Sequence, residues 1–235
     1  KTIGTGGGFD YSTVAAAIAD LNALGVGTGG VVFNVSADFK EIFLTPQAGY
    51  ITTTTSSPAN PVTFQRSGAG SNPLIMAPTG TGSMDAIIAL AGCDWVTFDG
   101  IDLVDNMDNY TATTRMEWGF AILKASGSNG SQNITIKNCS ISLYQDNIAS
   151  KGIYSNNHTT SSLSQLDVTA SSGANSNLKI FSNTISNCYT GIYIKGYGDL
   201  SPYAYYDQNN EIGKDGANTI TNFGGGNDYV YGIYT

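Results

Sequence analysis

The feature that most constrains the fold is an internal repeat, in which a small residue precedes two strand-forming residues. Its five copies are Ala86-Ile87-Ile88, Gly119-Phe120-Ala121, Gly152-Ile153-Tyr154, Gly191-Ile192-Tyr193 and Gly232-Ile233-Tyr234. Successive copies begin 33, 33, 39 and 41 residues apart. A period of this size is typical of stacked architectures, because each unit buries its apolar face only against its neighbours.

A second pattern lies between these copies and consists of an apolar-x-apolar step, a turn pair and another apolar step. It occupies residues 96–103, 134–141 and 178–185, and its end recurs at 218–220. Aligning the copies places Ile101, Cys139, Asn183 and Asn218 at one position, just before the second apolar step. The turn pairs contain Gly and Asn, which tolerate left-handed backbone conformations. The pattern therefore predicts two short strands that meet at an angle.

Strands this short bury a core only when equivalent strands stack on one another, at about 4.8 Å per layer. The sequence therefore predicts an all-β parallel β-helix, a solenoid. Because the spacing exceeds one minimal coil, each repeat must also carry a loop insertion. The predicted loops are residues 106–115, 125–131, 156–177 and 196–215.

The N-terminal part differs, because residues 11–24 have helical rather than strand periodicity. Ser12 or Asp10 is the predicted N-cap, and Gly25 is the predicted end of the helix. We expect residues 1–30 to form a cap whose amphipathic helix covers the end of the solenoid. Residues 31–235 are predicted to form the coils and to continue beyond the end of this chain.

Four stretches carry a resemblance to known families. Residues 9–18, FDYSTVAAAI, resemble the entry segment of pectate-lyase-like and pectin-esterase-like β-helices. The runs GVVFNV (30–35), PVTFQ (61–65) and DWVTFDGI (94–101) resemble the N-terminal module of large bacterial surface proteins of the type IX secretion class. The resemblance implies a right-handed β-helix, in agreement with the usual crossover preference. It also implies a protein that is secreted or on the outer cell surface of a Gram-negative bacterium.

Composition excludes several classes of function. The formal net charge is -8 and the sequence has no cluster of Lys and Arg, so a phosphate-binding groove for nucleic acid is not expected. No apolar run is long enough to span a bilayer.

The three cysteines, Cys93, Cys139 and Cys188, are expected to be small buried residues. The alternative is one disulfide and one free thiol.

An acidic run provides the only candidate metal site in the sequence. Asp102, Asp105 and Asp108 supply the oxygen ligands that Ca²⁺ prefers, and the segment 105–109 is the best location for such an ion. These residues are mostly three apart, whereas residues on one face of a strand are two apart. Ordinary turn aspartates are therefore the competing interpretation. No cofactor is required, and Ca²⁺ is the one candidate ion.

No catalytic residue is assigned from the sequence. The resemblance implies that hydrolases of this fold carry Asn-Thr-Asp, Asp-Asp and Gly-His-Gly elements, and the sequence contains none of them. A lyase would need a basic residue, and the candidates Arg66, Arg115, Lys151 and Lys195 are expected to be structural. The single histidine, His158, is predicted to lie in a flexible polar loop.

Tyrosines are concentrated in the C-terminal part of the chain. Tyr193 and Tyr234 occupy equivalent repeat positions and should stack on each other. The loop tyrosines are the candidates for contact with a glycan or a surface, because aromatic rings pack against the apolar faces of sugars. These candidates are Tyr197, Tyr203, Tyr205 and Tyr206.

Three functions remain open. The preferred one is a non-catalytic cell-surface adhesin or scaffold whose partners are a polysaccharide or a cell-surface glycan. The second is a polysaccharide lyase or hydrolase of the pectate-lyase-like fold. The third is a structural subunit that assembles into filaments, whose partners are further coils of the same parent protein or a neighbouring subunit.

Overall fold

Parallel β-sheets dominate the computed structural model, which describes residues 1–53, 55–200, 204–225 and 230–235. The first sheet contains β1 (Thr2–Ile3), β2 (Val31–Ser36), β5 (Val62–Ser67), β8 (Val96–Asp99), β11 (Thr135–Lys137), β14 (Lys179–Phe181) and β17 (Glu211–Ile212). The second contains β3 (Lys40–Ile42), β6 (Leu74–Met76), β9 (Asp102–Val104), β12 (Ser140–Ser142), β15 (Thr184–Cys188) and β18 (Thr219–Phe223). The third contains β4 (Tyr50–Ile51), β7 (Ala86–Ala91), β10 (Trp118–Leu123), β13 (Lys151–Ser155), β16 (Thr190–Ile194) and β19 (Ile233–Tyr234).

The order of the strands is compatible with the predicted parallel β-helix. From β2 onward, the chain visits the first, second and third sheet in turn and then repeats the circuit, so the described residues make six turns. Each strand pairs in parallel with the strand of the next turn. Short 3₁₀ helices lie in the connections at Pro46–Gly49, Ala112–Thr114 and Ser171–Gly173.

The core is built from like residues stacked in successive turns. Phe64 is fully buried, with its ring stacked 4.5 Å from Phe33 and 5.2 Å from Phe98 between centroids. In the third sheet Ile88, Phe120, Ile153, Ile192 and Ile233 form one column. The stacking that the repeat predicts is therefore present in the described part of the chain.

The repeat alignment is correct for four copies and wrong for the first. Phe120 pairs with Ile153 as aligned, but it pairs with Ile88 rather than with Ile87 on the preceding strand. Ile87 therefore occupies the position of Gly119. A β-carbon at Gly119 would lie 2.5 Å from the Gly152 carbonyl oxygen, so the later turns need glycine at this corner. The sequence did not show that the earlier turn has room for isoleucine there.

The asparagines of the second pattern form the ladder that their alignment indicates. The Cys139 N–H donates to Asn183 Oδ1, and the Asn183 N–H donates to Asn218 Oδ1, each at 3.1 Å. The amide of Asn183 in turn donates from Nδ2 to the Ile136 carbonyl at 2.9 Å. Every polar atom of the Asn183 side chain is therefore used inside the stack, as a buried amide requires.

The described residues contain one α-helix, α1 (Val14–Leu24), whose buried side chains join the main core. Its N-cap is Thr13, whose hydroxyl accepts the Ala16 N–H, so the predicted caps Ser12 and Asp10 are wrong. Glu41 from β3 also accepts the N–H groups of Val14 and Ala15. A carboxylate on the first turn therefore anchors the start of the helix, where negative charge is favourable. Gly25 follows the helix as predicted.

The same packing decides between the two alternatives for the cysteines. Cys93, Cys139 and Cys188 are all free and buried, which confirms them as small core residues. Burial raises the pKa of Cys93 and of Cys139 to about 12, so neither is a reactive thiolate. Among the described residues, no helix has the length and apolar character needed to cross a membrane.

Candidate functional site

The best candidate site is a pair of clefts that share the exposed Tyr206 as a lining residue. The first, here called the amide cleft, has a volume of about 310 Å³ and is lined by polar side chains that include Gln132, Asn177, Gln208 and Asn209. The second, here called the tyrosine cleft, has a volume of about 420 Å³. It is lined by Tyr197, Tyr206, Asp207, Asn210, Gly196, Gly198, Ile194, Ile212 and Thr235.

The segment 204–210 is held in place by the segment one turn before it. The Gln208 N–H donates to Ser176 Oγ at 3.0 Å, and the Leu178 N–H donates to Asn210 Oδ1 at 2.9 Å. The two segments run side by side with an offset of 32 residues, since each of these bonds joins residues 32 apart. An irregular connection is thereby fixed by side-chain bonds, so the ring of Tyr206 stands on a defined support.

Asp207 is the charged residue of the tyrosine cleft. Its Oδ1 accepts the Asn175 N–H at 2.9 Å and lies 3.6 Å from the fully buried Nζ of Lys124, which also donates to the Gly173 carbonyl. Its other oxygen, Oδ2, is buried and has no hydrogen-bond partner among the described residues. Burial raises the pKa of Asp207 and lowers the pKa of Lys124, while their mutual attraction opposes both shifts.

The four predicted tyrosines have different surroundings. Tyr197 and Tyr206 come together at the tyrosine cleft, and Tyr206 also lines the amide cleft. Tyr205 is exposed but lines neither cleft, and its backbone N–H is held by Asp199 Oδ2 at 2.7 Å. Tyr203 lies outside the described residues. The structure therefore separates Tyr206 from its neighbour Tyr205, which the sequence could not do.

Two of the three candidate calcium ligands, Asp102 and Asp105, already accept hydrogen bonds from the protein, and the third, Asp108, is exposed. Asp102 Oδ1 accepts the Ser140 N–H, and the two oxygens of Asp105 accept the N–H groups of Asn106 and Met116. Burial raises the pKa of Asp105 to about 6. Asp108 is exposed. Over residues 1–53, 55–200, 204–225 and 230–235, no group of three or more acidic, His or Cys side chains could hold a metal ion. Calcium binding stays a prediction without added support.

A row of stacked aromatic rings follows the outer side of the third sheet. Trp118 stacks on Tyr154, Tyr154 on Tyr193, and Tyr193 on Tyr234, with centroid distances of 4.4, 5.4 and 4.8 Å. The predicted stacking of Tyr193 on Tyr234 is therefore confirmed. Because the rings cover one another's faces, the inner members of the row offer only their edges to a ligand.

An acidic pair that the sequence did not reveal lies beside this row. Glu117 is buried, accepts the Asp85 N–H at 3.0 Å and has its pKa raised to about 7 by burial, with the charge of Asp85 adding to the shift. Burial also lowers the pKa of Lys151, and the charge of Glu117 opposes that shift. Glu117 precedes Trp118 in sequence, where it could not be distinguished from a solvated glutamate.

His158 differs from its prediction as a residue of a flexible polar loop. Its side chain is buried, with Nε2 2.9 Å from the Tyr154 hydroxyl and Nδ1 2.7 Å from the Thr159 carbonyl oxygen. Burial lowers the pKa of the imidazole, so it is neutral at pH 7. Both ring nitrogens are therefore used by the protein.

The basic residues considered for a lyase are spread over the surface and the core. Arg66 and Lys195 are exposed, whereas Arg115 is buried, pairs with Asp146 at 2.6 Å and lies over the ring of Tyr144. No two of these four residues come together at either cleft.

Sequence reasoning also missed Asp207, which lines the tyrosine cleft. Its only signal in the sequence was its place next to Tyr206.

In comparisons with known proteins, no family model, no curated protein and no solved structure matches this chain. Its function is therefore inferred from the geometry of the chain itself.

Proposed function

We propose that this chain is a right-handed parallel β-helix module of the pectate-lyase-like type that binds glycans without turning them over. We further propose that it acts as an adhesin or scaffold, secreted or on the outer surface of a Gram-negative bacterium. The observation that carries glycan binding is the position of Tyr206, an exposed residue that lines two clefts, one of them rich in amide and hydroxyl groups.

The chemistry of the two clefts supports a sugar rather than an apolar ligand. A sugar presents C–H groups on its ring faces and hydroxyls around its edge, so it needs an aromatic surface next to hydrogen-bonding groups. Tyr206 supplies the ring, and Gln132, Asn177 and Gln208 supply amides in the amide cleft. Gln132 already donates from Nε2 to the Ser171 and Ala174 carbonyls, so it offers its Oε1 as an acceptor. An amide group can both donate and accept, which matches the dual character of a hydroxyl group.

Replacing Tyr206 with alanine should weaken saccharide binding about tenfold or more, since it removes the aromatic surface shared by both clefts. The measurement is titration calorimetry of the 235-residue chain with tetrasaccharides of glucose, galactose, mannose and galacturonic acid. Tyr205→Ala is the matched control and should bind as the unaltered chain does. No binding of any saccharide, or equal binding by Tyr206→Ala, would contradict the proposal.

An enzymatic function is the second candidate, and the raised pKa of Glu117 is the observation that favours it. A carboxyl group that titrates near pH 7 is suited to general acid–base catalysis. Its burial and its bond to the Asp85 N–H favour a structural role instead. Incubating the same tetrasaccharides with the chain and assaying new reducing ends or unsaturated products separates the two functions, because a binding module produces neither.

A further inference from the structure

Asp207 stands where the stacking pattern elsewhere places asparagine. The Ser131 N–H donates to Asn175 Oδ1, and one turn later the Asn175 N–H donates to Asp207 Oδ1, each at 2.9 Å. Asn183 and Asn218 repeat this relation in another column of the stack. Asp207 therefore continues a ladder in which each side chain accepts the backbone N–H of the residue one turn before.

The asparagines of these ladders use both polar atoms of the side chain, whereas Asp207 uses one. Asn183 and Asn218 donate from Nδ2 to the carbonyls of Ile136 and Ile180, each at 2.9 Å. Among the described residues, Oδ2 of Asp207 has no hydrogen-bond partner, although the side chain is only 5% exposed. At Asp207 the ladder therefore has an unused oxygen where these asparagines have an amide nitrogen.

A lysine nitrogen lies beside the same carboxyl group. Lys124 follows β10 directly, and its side chain is fully buried with Nζ 3.6 Å from Asp207 Oδ1. This separation is longer than an ordinary N–H···O hydrogen bond. Among the described residues, the one hydrogen bond that Nζ donates goes to the Gly173 carbonyl. Because an ammonium group carries three donors, both partners of this ion pair have polar atoms left unused.

Two full charges are unfavourable at this depth. Both groups are almost completely removed from water, and a buried charge is destabilising unless it is paired and fully hydrogen-bonded. Burial raises the pKa of Asp207 and lowers the pKa of Lys124, so it favours the neutral acid and the neutral amine against their mutual attraction. A neutral amine beside a carboxylic acid is the pair of reactants from which an amide forms.

We propose that Lys124 and Asp207 form an intramolecular amide bond between Nζ and Cγ, which ties the connection after β10 to the connection that carries Tyr206. As the Nζ–Cγ bond forms, the bond from Cγ to Oδ2 breaks. Of the three protons on the ammonium group, two leave with Oδ2 as water and the third stays on the amide nitrogen. The step needs no oxidant and no cofactor, and both charges disappear.

The amide accounts for every polar atom of the pair. Oδ1 keeps the bond from the Asn175 N–H, the remaining N–H keeps the bond to the Gly173 carbonyl, and the unpartnered Oδ2 is the atom that leaves. The side chain of residue 207 then has the same chemistry as the ladder asparagines. Its new N–H donates to a backbone carbonyl, as Nδ2 of Asn183 does.

Burial is what separates this pair from an ordinary ion pair. The fold holds the two groups together, so the reaction is intramolecular and benefits from a high effective concentration. Lys137 and Asp99 lie closer, at 3.1 Å, but about a third of each side chain is exposed. Water stabilises their charges, so this surface pair is expected to stay ionic.

The mass of the denatured chain tests the bond directly. The purified 235-residue chain should have the mass of its sequence minus one water molecule. Trypsin should release a branched peptide in which residues 116–137, uncleaved after Lys124, are joined to residues 196–214. Water lost as a cyclic imide at Asp99-Gly100 or Asp215-Gly216 would give no branched peptide, so the peptide map distinguishes the two products.

A pair of variants assigns the nitrogen. Lys124→Met removes the amine and keeps a long side chain, so its mass should equal that of its sequence. Lys137→Met is the matched control and should still lack one water molecule. A full sequence mass for the unaltered chain, or a loss of water without the branched peptide, would overturn the proposal. This result is read on the unaltered chain, so it depends neither on the folding of a variant nor on glycan binding.

Discussion

Replacing Phe64 with alanine should lower the free energy of unfolding by about 3–5 kcal/mol, the range for removing a fully buried phenylalanine side chain. Phe64 is the middle ring of a stack, with Phe33 in the turn before it and Phe98 in the turn after it. The cavity would open between two turns that gain their core only from each other. Neither neighbouring ring can fill it without leaving its own place in the stack.

Urea unfolding followed by circular dichroism measures this change. Phe223→Ala is a suitable control, because Phe223 lies on β18 and is exposed. Its replacement should cost much less than that of Phe64. A loss below about 1 kcal/mol for Phe64→Ala, as is usual for surface positions, would contradict the stacked core.

The second large effect concerns pH. Burial raises the pKa of Glu117 from 4.5 to about 7, so the folded chain holds a proton that the unfolded chain releases between these values. The contribution of Glu117 to stability is therefore complete below pH 4.5 and is lost as the pH rises through 7, a loss on the order of 3 kcal/mol. Asp105 acts in the same direction, but only up to its pKa of about 6.

The free energy of unfolding between pH 6 and pH 8 is the measurement that isolates Glu117. Glu117→Gln keeps an acceptor for the Asp85 N–H and removes the charge, so it should flatten the decline and stabilise the chain at pH 8. Glu211→Gln is the control, since Glu211 pairs with Lys214 at the surface and has a lowered pKa. An unchanged slope in Glu117→Gln would show that the carboxyl is not buried as described.

The candidate site was only partly predictable. Tyr206 was named from the sequence as one of four loop tyrosines, but nothing local distinguished it from Tyr205. The distinction depends on bonds between segments 32 residues apart, such as that from Gln208 to Ser176. Glu117 and Asp207 were missed because burial, rather than residue type, makes them unusual.

The sequence by itself determined the stacked parallel strands, the asparagine ladder and the helix that precedes the first full turn. These features follow from a local period, since spacing decides which side chains point inward and which residues meet one turn later. Only the tertiary structure decided the register of Ile87 and Ile88, the cap at Thr13 and the partners of Asp207. Each of these depends on the space and the hydrogen-bond partners that other turns provide, and a repeat pattern contains no record of them.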